Sequence, residues 1–158
     1  AKNFPHIIWQ GTDIDEVHCK SVDAWAKFNS LNLPRALALD AASDWSSVLK
    51  EYDSFNMIIS MNVIHISAIS TLEGIFINSA KFTKTDGILV FYGPFKRANK
   101  HIGEGNKIFD QRLRNENSAW GVRCISTLES LAADNKFLAP KVIEMPSNNF
   151  LLVFKKSD

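Results

Sequence analysis

Apolar residues along this chain follow two rhythms in turn, short unbroken runs and longer stretches of helical spacing. Phe4–Gln10 (FPHIIWQ) is a compact apolar run opened by a proline, the pattern of a short buried strand. After Gly11, the residues Val22, Trp25, Ala26 and Phe28 return at helical spacing with Lys20, Asp23 and Lys27 between them. This predicts a helix from an Asp13 or Asp15 cap to about Asn29. Asn32-Leu33-Pro34 breaks it, and Arg35–Leu39 reads as a second strand that stops at Asp40. Ser43–Lys50 is predicted as a short helix, capped by Ser43 or Asp44. Phe55–Met61 (FNMIISM) is the third strand, continuous in apolar character as a strand covered on both faces should be. Ser67–Lys84 keeps helical period through Ile69, Leu72, Phe76 and Ala80, closing at Asp86-Gly87. Ile88–Tyr92 is the fourth strand, and Gly93–Asn106 is a polar, basic loop. Lys107–Asn117 is predicted helical, with Ile108, Phe109 and Leu113 inward. Ser126-Thr127-Leu128-Glu129 is the pattern of a capping box, opening a helix that ends near Asn135. Two last strands, Ala139–Glu144 and Phe150–Lys155, are joined by only Met145-Pro146-Ser147-Asn148-Asn149, so they should be antiparallel neighbours.

Strand and helix alternating over most of the length predicts an α/β fold, a mostly parallel sheet with helices on both faces and a closing antiparallel hairpin. No repeat, low-complexity segment or linker interrupts it, which predicts one domain over 1–158. In such sheets ligands bind outside the carboxyl ends of the strands. The residues there are Asp13, Asp40, Asn62 to His65, and Gly93 to His101.

Composition narrows the classes. With 46% apolar residues the chain is too hydrophobic for a disordered protein. A net charge of +1 lacks the basic excess that a phosphate backbone requires. No apolar run is long enough to span a bilayer, and Ile7–Trp9 is too short for the core of a signal peptide. Cys19 and Cys124 have no CxxC spacing and read as free thiols of a reducing compartment, which places the protein inside the cell, in cytoplasm or nucleus. His6, His18, His65 and His101 form no HxxxH pair, so no metal site is expected.

The strand ends carry the candidate chemistry. Asp13 could accept two hydrogen bonds from a ribose diol or serve as a helix cap, a task for which Asp15 is better placed. Asp40 could receive an adenine amino group while Ala41 packs on the ring, or could be an ordinary loop carboxylate. Two acids at successive strand ends suit a nucleoside better than a phosphate, which both would repel. Asn62 offers a donor and an acceptor. His65 is either a base or a packed histidine. Lys96, Arg97, Lys100 and His101 make the loop after Tyr92 positive, fit either for an acidic substrate or for plain solvation. Gly103-Glu104-Gly105 is too short for a dinucleotide fingerprint. Trp9, Trp25 and Trp45 are expected in the core, whereas Trp120 either lines the loop pocket or packs.

Several segments together, "WQGTDID", "ALALDAASDW", "MNVIHIS", "GILVFYGPFKR", "FDQRLR", "WGVR" and "EMPSNNFLLVF", resemble the methyltransferase-like 26 family, a branch of the class I S-adenosylmethionine-dependent methyltransferases. The resemblance runs from about His6 to Lys155. It implies a Rossmann-like sheet of order 3-2-1-4-5-7-6 with strand 7 antiparallel. The first strand of this chain would then be the family's second. Asp13 and Ile14 would lie at the ribose of S-adenosylmethionine, Asp40 and Ala41 at adenine, and Asn62 near the methionine half. Tyr92, Arg97 and His101 would lie on the substrate side, with His65 the candidate catalytic base. The partner would be a methyl acceptor, a small molecule or a macromolecule.

One feature departs from the family. The superfamily's first strand ends in a glycine-rich loop around the methionine carboxylate, and a βα unit of this kind takes on the order of 30 residues. Here five residues precede His6, and no GxGxG occurs elsewhere. The first βα unit is therefore expected to be missing. That would expose apolar strand edges on either side of the gap, between the strands at Ile7 and Ile58. The resulting expectation is a methyltransferase-like protein whose cofactor binding in this chain alone is weak or absent. The alternative is a non-catalytic interaction protein that keeps the fold. A nicotinamide-dependent reductase is disfavoured by the closing hairpin and by the lack of a Tyr-x-x-x-Lys pair.

Overall fold

The structure, a computed structural model, describes residues 2–157. The chain divides into two compact units, Ala1–Glu51 and Tyr52–Asp158.

The first unit is built on two short parallel strands, β1 (Thr12–Asp13) and β2 (Leu37–Ala38), with α1 (Glu16–Phe28) between them. Thr12 pairs with Leu37 and Asp13 with Ala38. The ladder is extended by Leu37 N–H donating to Gly11 O (3.0 Å) and Leu39 N–H to Asp13 O (2.8 Å). Asp15 caps α1, its Oδ1 accepting from Val17 N–H at 2.8 Å. That satisfies one of the donors a helix start leaves unpaired.

Three expectations for this unit are corrected. Phe4–Gln10 is turn and bend, and pairing begins only at Thr12. An apolar run becomes a strand only where a neighbour takes its backbone groups, and Ile8 stands 82% exposed. Ser43–Lys50 forms successive turns instead of a helix, as Asp and Ser side chains compete for the backbone bonds: Asp40 Oδ1 accepts from Ala42 N–H and Ser43 Oγ donates to Asp40 O, each at 2.9 Å. Trp25 is exposed, its ring edge-on to the exposed Phe28 at 5.7 Å; only Trp45 of the three tryptophans is fully buried.

The second unit holds a four-stranded sheet of order β3-β4-β6-β5: β3 (Phe55–Met61), β4 (Thr83–Pro94), β5 (Lys141–Met145) and β6 (Asn149–Lys155). β3 and β4 are parallel, and β6 runs antiparallel to both β4 and β5. Three helices accompany it, α2 (Ile69–Phe82), α3 (Glu104–Glu116) and α4 (Ile125–Asp134). The core is aromatic. Phe76 of α2 meets Phe91 and Phe154 at 5.4 Å each, and Phe91 meets Phe154 at 5.9 Å. All three rings are fully buried, and such pairs add about 0.5–1.5 kcal/mol beyond area burial.

The chain passes from α2 into β4 without a loop. Asp86-Gly87, expected at the helix end, lies inside β4, where the register with β3 shifts between Phe55 and Met57. A Cβ on Gly87 would meet Thr83 Cγ2 at 2.7 Å and Lys84 O at 2.8 Å, so this irregularity requires glycine. The carbonyls at the end of α2 are taken instead by Lys156, whose Nζ donates to Ala80 O (2.7 Å) and Thr83 O (2.6 Å). The capping box at Ser126 does not form. The helix begins two residues earlier, at Ile125, with Cys124 as its cap, and Ser126 Oγ donates to Cys124 Sγ at 3.1 Å.

The two sheets match two runs of the expected order. β2-β1 corresponds to its 3-2, and β3-β4-β6-β5 to its 4-5-7-6, with the antiparallel strand where it should be. Among the described residues no helix is long and apolar enough to cross a membrane.

Candidate functional site

In the first unit Asp13 and Asp40 stand at the carboxyl ends of adjacent parallel strands. Each uses one oxygen locally. Asp13 Oδ1 accepts from Asp15 N–H (2.9 Å) and contacts His18 Nδ1 (3.2 Å), while Asp40 Oδ1 accepts from Ala42 N–H. The bond from Asp15 N–H outweighs the small effect of burial and holds the Asp13 carboxyl below its usual range. The Ile14 N–H also acts on the Asp13 carboxylate. Ile14 beside Asp13 is exposed, and Ala41 beside Asp40 half-buried. Two carboxylates braced by their own loops at adjacent strand ends have the chemistry to meet the hydroxyls and amino group of a nucleoside.

The carboxyl edge of β3 and β4 in the second unit is closely packed. Asn62 follows β3 in a left-handed conformation (φ 61°), and its N–H donates to Tyr92 O at 2.9 Å. A Cβ on Gly93 would meet His65 Nε2 at 2.5 Å and Asn62 Oδ1 at 2.9 Å, so glycine is what lets the three lie together. His65 is buried at 1% exposure, edge-on to Phe95 at 5.2 Å, and neither ring nitrogen has a partner among the described residues. Burial, with the nearby Arg123 cation, pushes its pKa down to about 4. The imidazole is neutral at pH 7 and sealed, the geometry of a packed histidine.

The loop after β4, expected to be positive, is tied down by backbone bonds and ion pairs. Arg97 and Lys100 exchange backbone bonds (3.0 and 2.9 Å) across a two-residue turn at Ala98 (φ 47°) and Asn99 (φ 62°), a tight hairpin. Lys96 N–H donates to Arg123 O, and Lys96 O accepts from Ile125 N–H. Three of the four basic side chains, Lys96, Arg97 and His101, are paired within the fold, while Lys100 is exposed. Buried Asp110 of α3 takes Lys96 Nζ (2.7 Å) and His101 Nε2 (2.8 Å) on Oδ2, and Val122 N–H (2.6 Å) and Arg114 Nε (3.3 Å) on Oδ1. Burial opposes this ionisation, but the bonds from Lys96, His101 and Val122 overcome it and hold the carboxyl well below its usual range. Arg97 pairs with Glu144 (3.2 Å) and lies 4.7 Å over the Phe150 ring. Tyr92 OH accepts from Asn149 Nδ2 at 3.2 Å. Asp110 was not anticipated from sequence. Its signal was position: one turn before Leu113 and Arg114, on the buried face of an otherwise polar helix. Among the described residues no cluster of His, Cys, Asp and Glu could hold a metal ion.

Comparison with known proteins places this geometry. The model of a family described as protein of unknown function, DUF938, matches residues 1–156. Among solved structures, human N-acetylserotonin methyltransferase in complex with SAM superposes with a TM-score of 0.74 at 12% identity, over 99% of this chain and 43% of that one. An O-methyltransferase family protein from Burkholderia thailandensis gives 0.73 at 12% identity, over 99% and 46%. The PH0226 protein from Pyrococcus horikoshii OT3 gives 0.68 at 15% identity, over 96% and 72%. The chain thus spans less than half the length of the two methyltransferases and carries their fold.

Proposed function

This chain belongs to the DUF938 family, and we propose that it is the S-adenosylmethionine-dependent methyltransferase its fold suggests, of the methyltransferase-like 26 type. The observation that carries the reading is the pair of acids, Asp13 and Asp40, at neighbouring parallel strand ends in a methyltransferase fold. Asp13 accepts from the ribose hydroxyls. Asp40 takes the adenine amino group, with Ile14 and Ala41 supplying apolar contact. Asn62 serves the methionine half. When bound, the sulfonium supplies an activated methyl group, and the protein's task is to hold acceptor and donor in line. The methyl acceptor, small molecule or macromolecule, approaches the side of Tyr92, Arg97 and His101. A first βα unit from outside this sequence is proposed to pair with the edge of β3 that no strand covers among the described residues. It would bring the glycine-rich turn that this chain lacks.

The test is titration calorimetry with S-adenosylmethionine. The 158-residue chain should bind weakly or not at all, because a charged group left without donors costs ~2–5 kcal/mol. The full natural chain should bind, and Asp13→Ala should weaken it by about 1.5–3 kcal/mol through lost charged hydrogen bonds. Micromolar binding by the short chain would sink the missing-unit reading.

A second reading, a non-catalytic protein that keeps the fold, is favoured by the absence of any glycine-rich turn after a strand in this sequence. Failure of the full natural chain to bind S-adenosylmethionine would select it.

A further inference from the structure

Beside the hairpin at Arg97 lies a shallow cavity of about 110 Å³, which the reaction reading leaves unexplained. Its lining joins Arg97 and Glu144 with the apolar Ile102, Met145 and Phe150 and with Asn148 and Asn149. It sits at the sheet edge where β4 ends and β6 begins, since Pro94 pairs with Asn149 and Gly93 with Phe150. Asn149 also ties it to Tyr92 through the 3.2 Å bond to the phenol oxygen.

The cavity is assembled rather than incidental. The turn beneath it is tight, with Ser147 (φ 61°) and Asn148 (φ 57°) both left-handed and Asn149 N–H closing on Pro146 O. Asn106 Nδ2 donates to Asn148 O at 3.0 Å, binding the turn to α3. Gly103 (φ +80°) lets the start of α3 approach, for a Cβ there would meet Asn148 Nδ2 at 2.9 Å. The guanidinium carbon lies over the Phe150 ring, 4.7 Å from its centroid.

The polar groups restrict what can enter. The lining has one cation and one anion. A dianionic phosphate would meet Glu144 with no second cation to offset it. A planar carboxylate matches the fork of a guanidinium. Glu144 already shows this fit, its Oε1 resting on Arg97 Nη1 at 3.2 Å while its side chain is 76% exposed and free to leave. Ile102, Met145 and Phe150 supply the apolar part of the lining, and the volume limits the enclosed part of a ligand to less than a whole aromatic ring.

We propose that this cavity binds a small organic monocarboxylate with an apolar body, its carboxylate on Arg97 in the place Glu144 now occupies, and that this is the anchoring end of the methyl acceptor. The assignment to the acceptor rests on the methyltransferase reading; the binding site does not.

The test uses benzoate as probe and benzamide as neutral control, titrated into the full natural chain and followed by the side-chain amide signals of Asn148 and Asn149. Benzoate should give saturable shifts at millimolar concentration, and benzamide none. Arg97→Gln should weaken benzoate about tenfold or more. Glu144→Gln should tighten it about two- to fivefold, since an exposed pair is a modest competitor. No saturable shift, or equal binding by Arg97→Gln, overturns the proposal. Weaker binding by Glu144→Gln also overturns it, because Glu144 would then contact the ligand, as with a zwitterion. Repeating the titration with S-adenosylmethionine separates the two readings: benzoate binding without cofactor binding removes the methyl-transfer role and leaves the site.

Discussion

His65 is a residue whose chemistry is decided by where the fold puts it. Its type and its place after β3 suited a base, and its burial was invisible because it arises from Gly93 and Phe95, far along the chain. The consequence is a pH dependence. A histidine near pKa 4 folded and near 6.5 unfolded binds fewer protons in the folded state. Stability is therefore full above pH 6.5 and falls as the pH drops toward 4, by up to roughly 3 kcal/mol. Urea unfolding at pH 7 and pH 4.5 should show the loss, and His65→Gln should flatten it. An unchanged slope in that variant would mean the histidine is solvated. Asp110 makes the opposite case, a buried charge that the fold completes. Asp110→Asn leaves Lys96 and His101 facing a neutral amide, and should cost about 3–5 kcal/mol in urea unfolding. Ion pairs of this kind are not legible in one sequence, since spacing does not reveal that Lys96 and Asp110 converge.

At the scale of elements, legibility followed partners. Phe55–Met61 was read with its observed limits because it pairs in parallel with β4, but the expected cover on both faces is not found: Met57, Ile59 and Met61 stand exposed and only Ser60 of the strand is buried. The β5–β6 hairpin was read from the shortness of its connection and is found antiparallel. Residues 4–10 and 43–50 were misread because a run of apolar or helix-compatible residues is a permission, and no strand or helix packed there to use it. The segment 93–101 was read only as a polar, basic loop, its charges left open between an acidic substrate and plain solvation, and its tight turn and ion pairs were not foreseen. In fact Ala98 holds φ 47° in a two-residue turn, at a cost that a residue with a Cβ pays and glycine does not. Ala98→Gly should therefore raise stability by about 0.5–1 kcal/mol, seen as a higher melting temperature with unchanged far-ultraviolet dichroism. A drop would show that the Ala98 methyl packs. The α2 helix offers the complementary change. Its cap, Ala68, gives no side-chain oxygen to the helix start, and Ala68→Ser should add about 0.5–1 kcal/mol by the same assay.

At the scale of the whole molecule, the two units differ in how much they bury. Phe76, Phe91, Phe95, Phe154, Leu72, Leu89, Leu128 and Leu152 are all fully buried, and all belong to residues 52–158. Residues 1–51 contribute only Cys19, Leu39, Trp45 and Leu49 to the buried apolar set, while Ile8, Ile14, Val17, Trp25 and Phe28 stand 64–82% exposed. A segment of about fifty residues buries too little surface to offset its chain entropy without further support. Asp13 and Asp40 therefore sit on the less stable part of the chain, and the packed edge with the Arg97 cavity on the more stable part. Unfolding of the 158-residue chain should not be two-state. Hydrogen exchange should show the amides of α1, β1 and β2 opening at a free energy several kcal/mol below those of β4 and β6. Brief proteolysis should cut within residues 1–51 first and leave a core that starts near Tyr52. The same measurement on the full natural chain tests why the first unit is weak. If a missing βα unit is what covers Val17, Trp25 and Phe28, its presence should raise the protection of α1 toward that of β4. Saturating S-adenosylmethionine should raise it further, because a ligand that binds only the folded acids stabilises the unit that holds them. Equal protection of both units in the short chain would show that residues 1–51 need no such support, and the missing-unit account would fall with it.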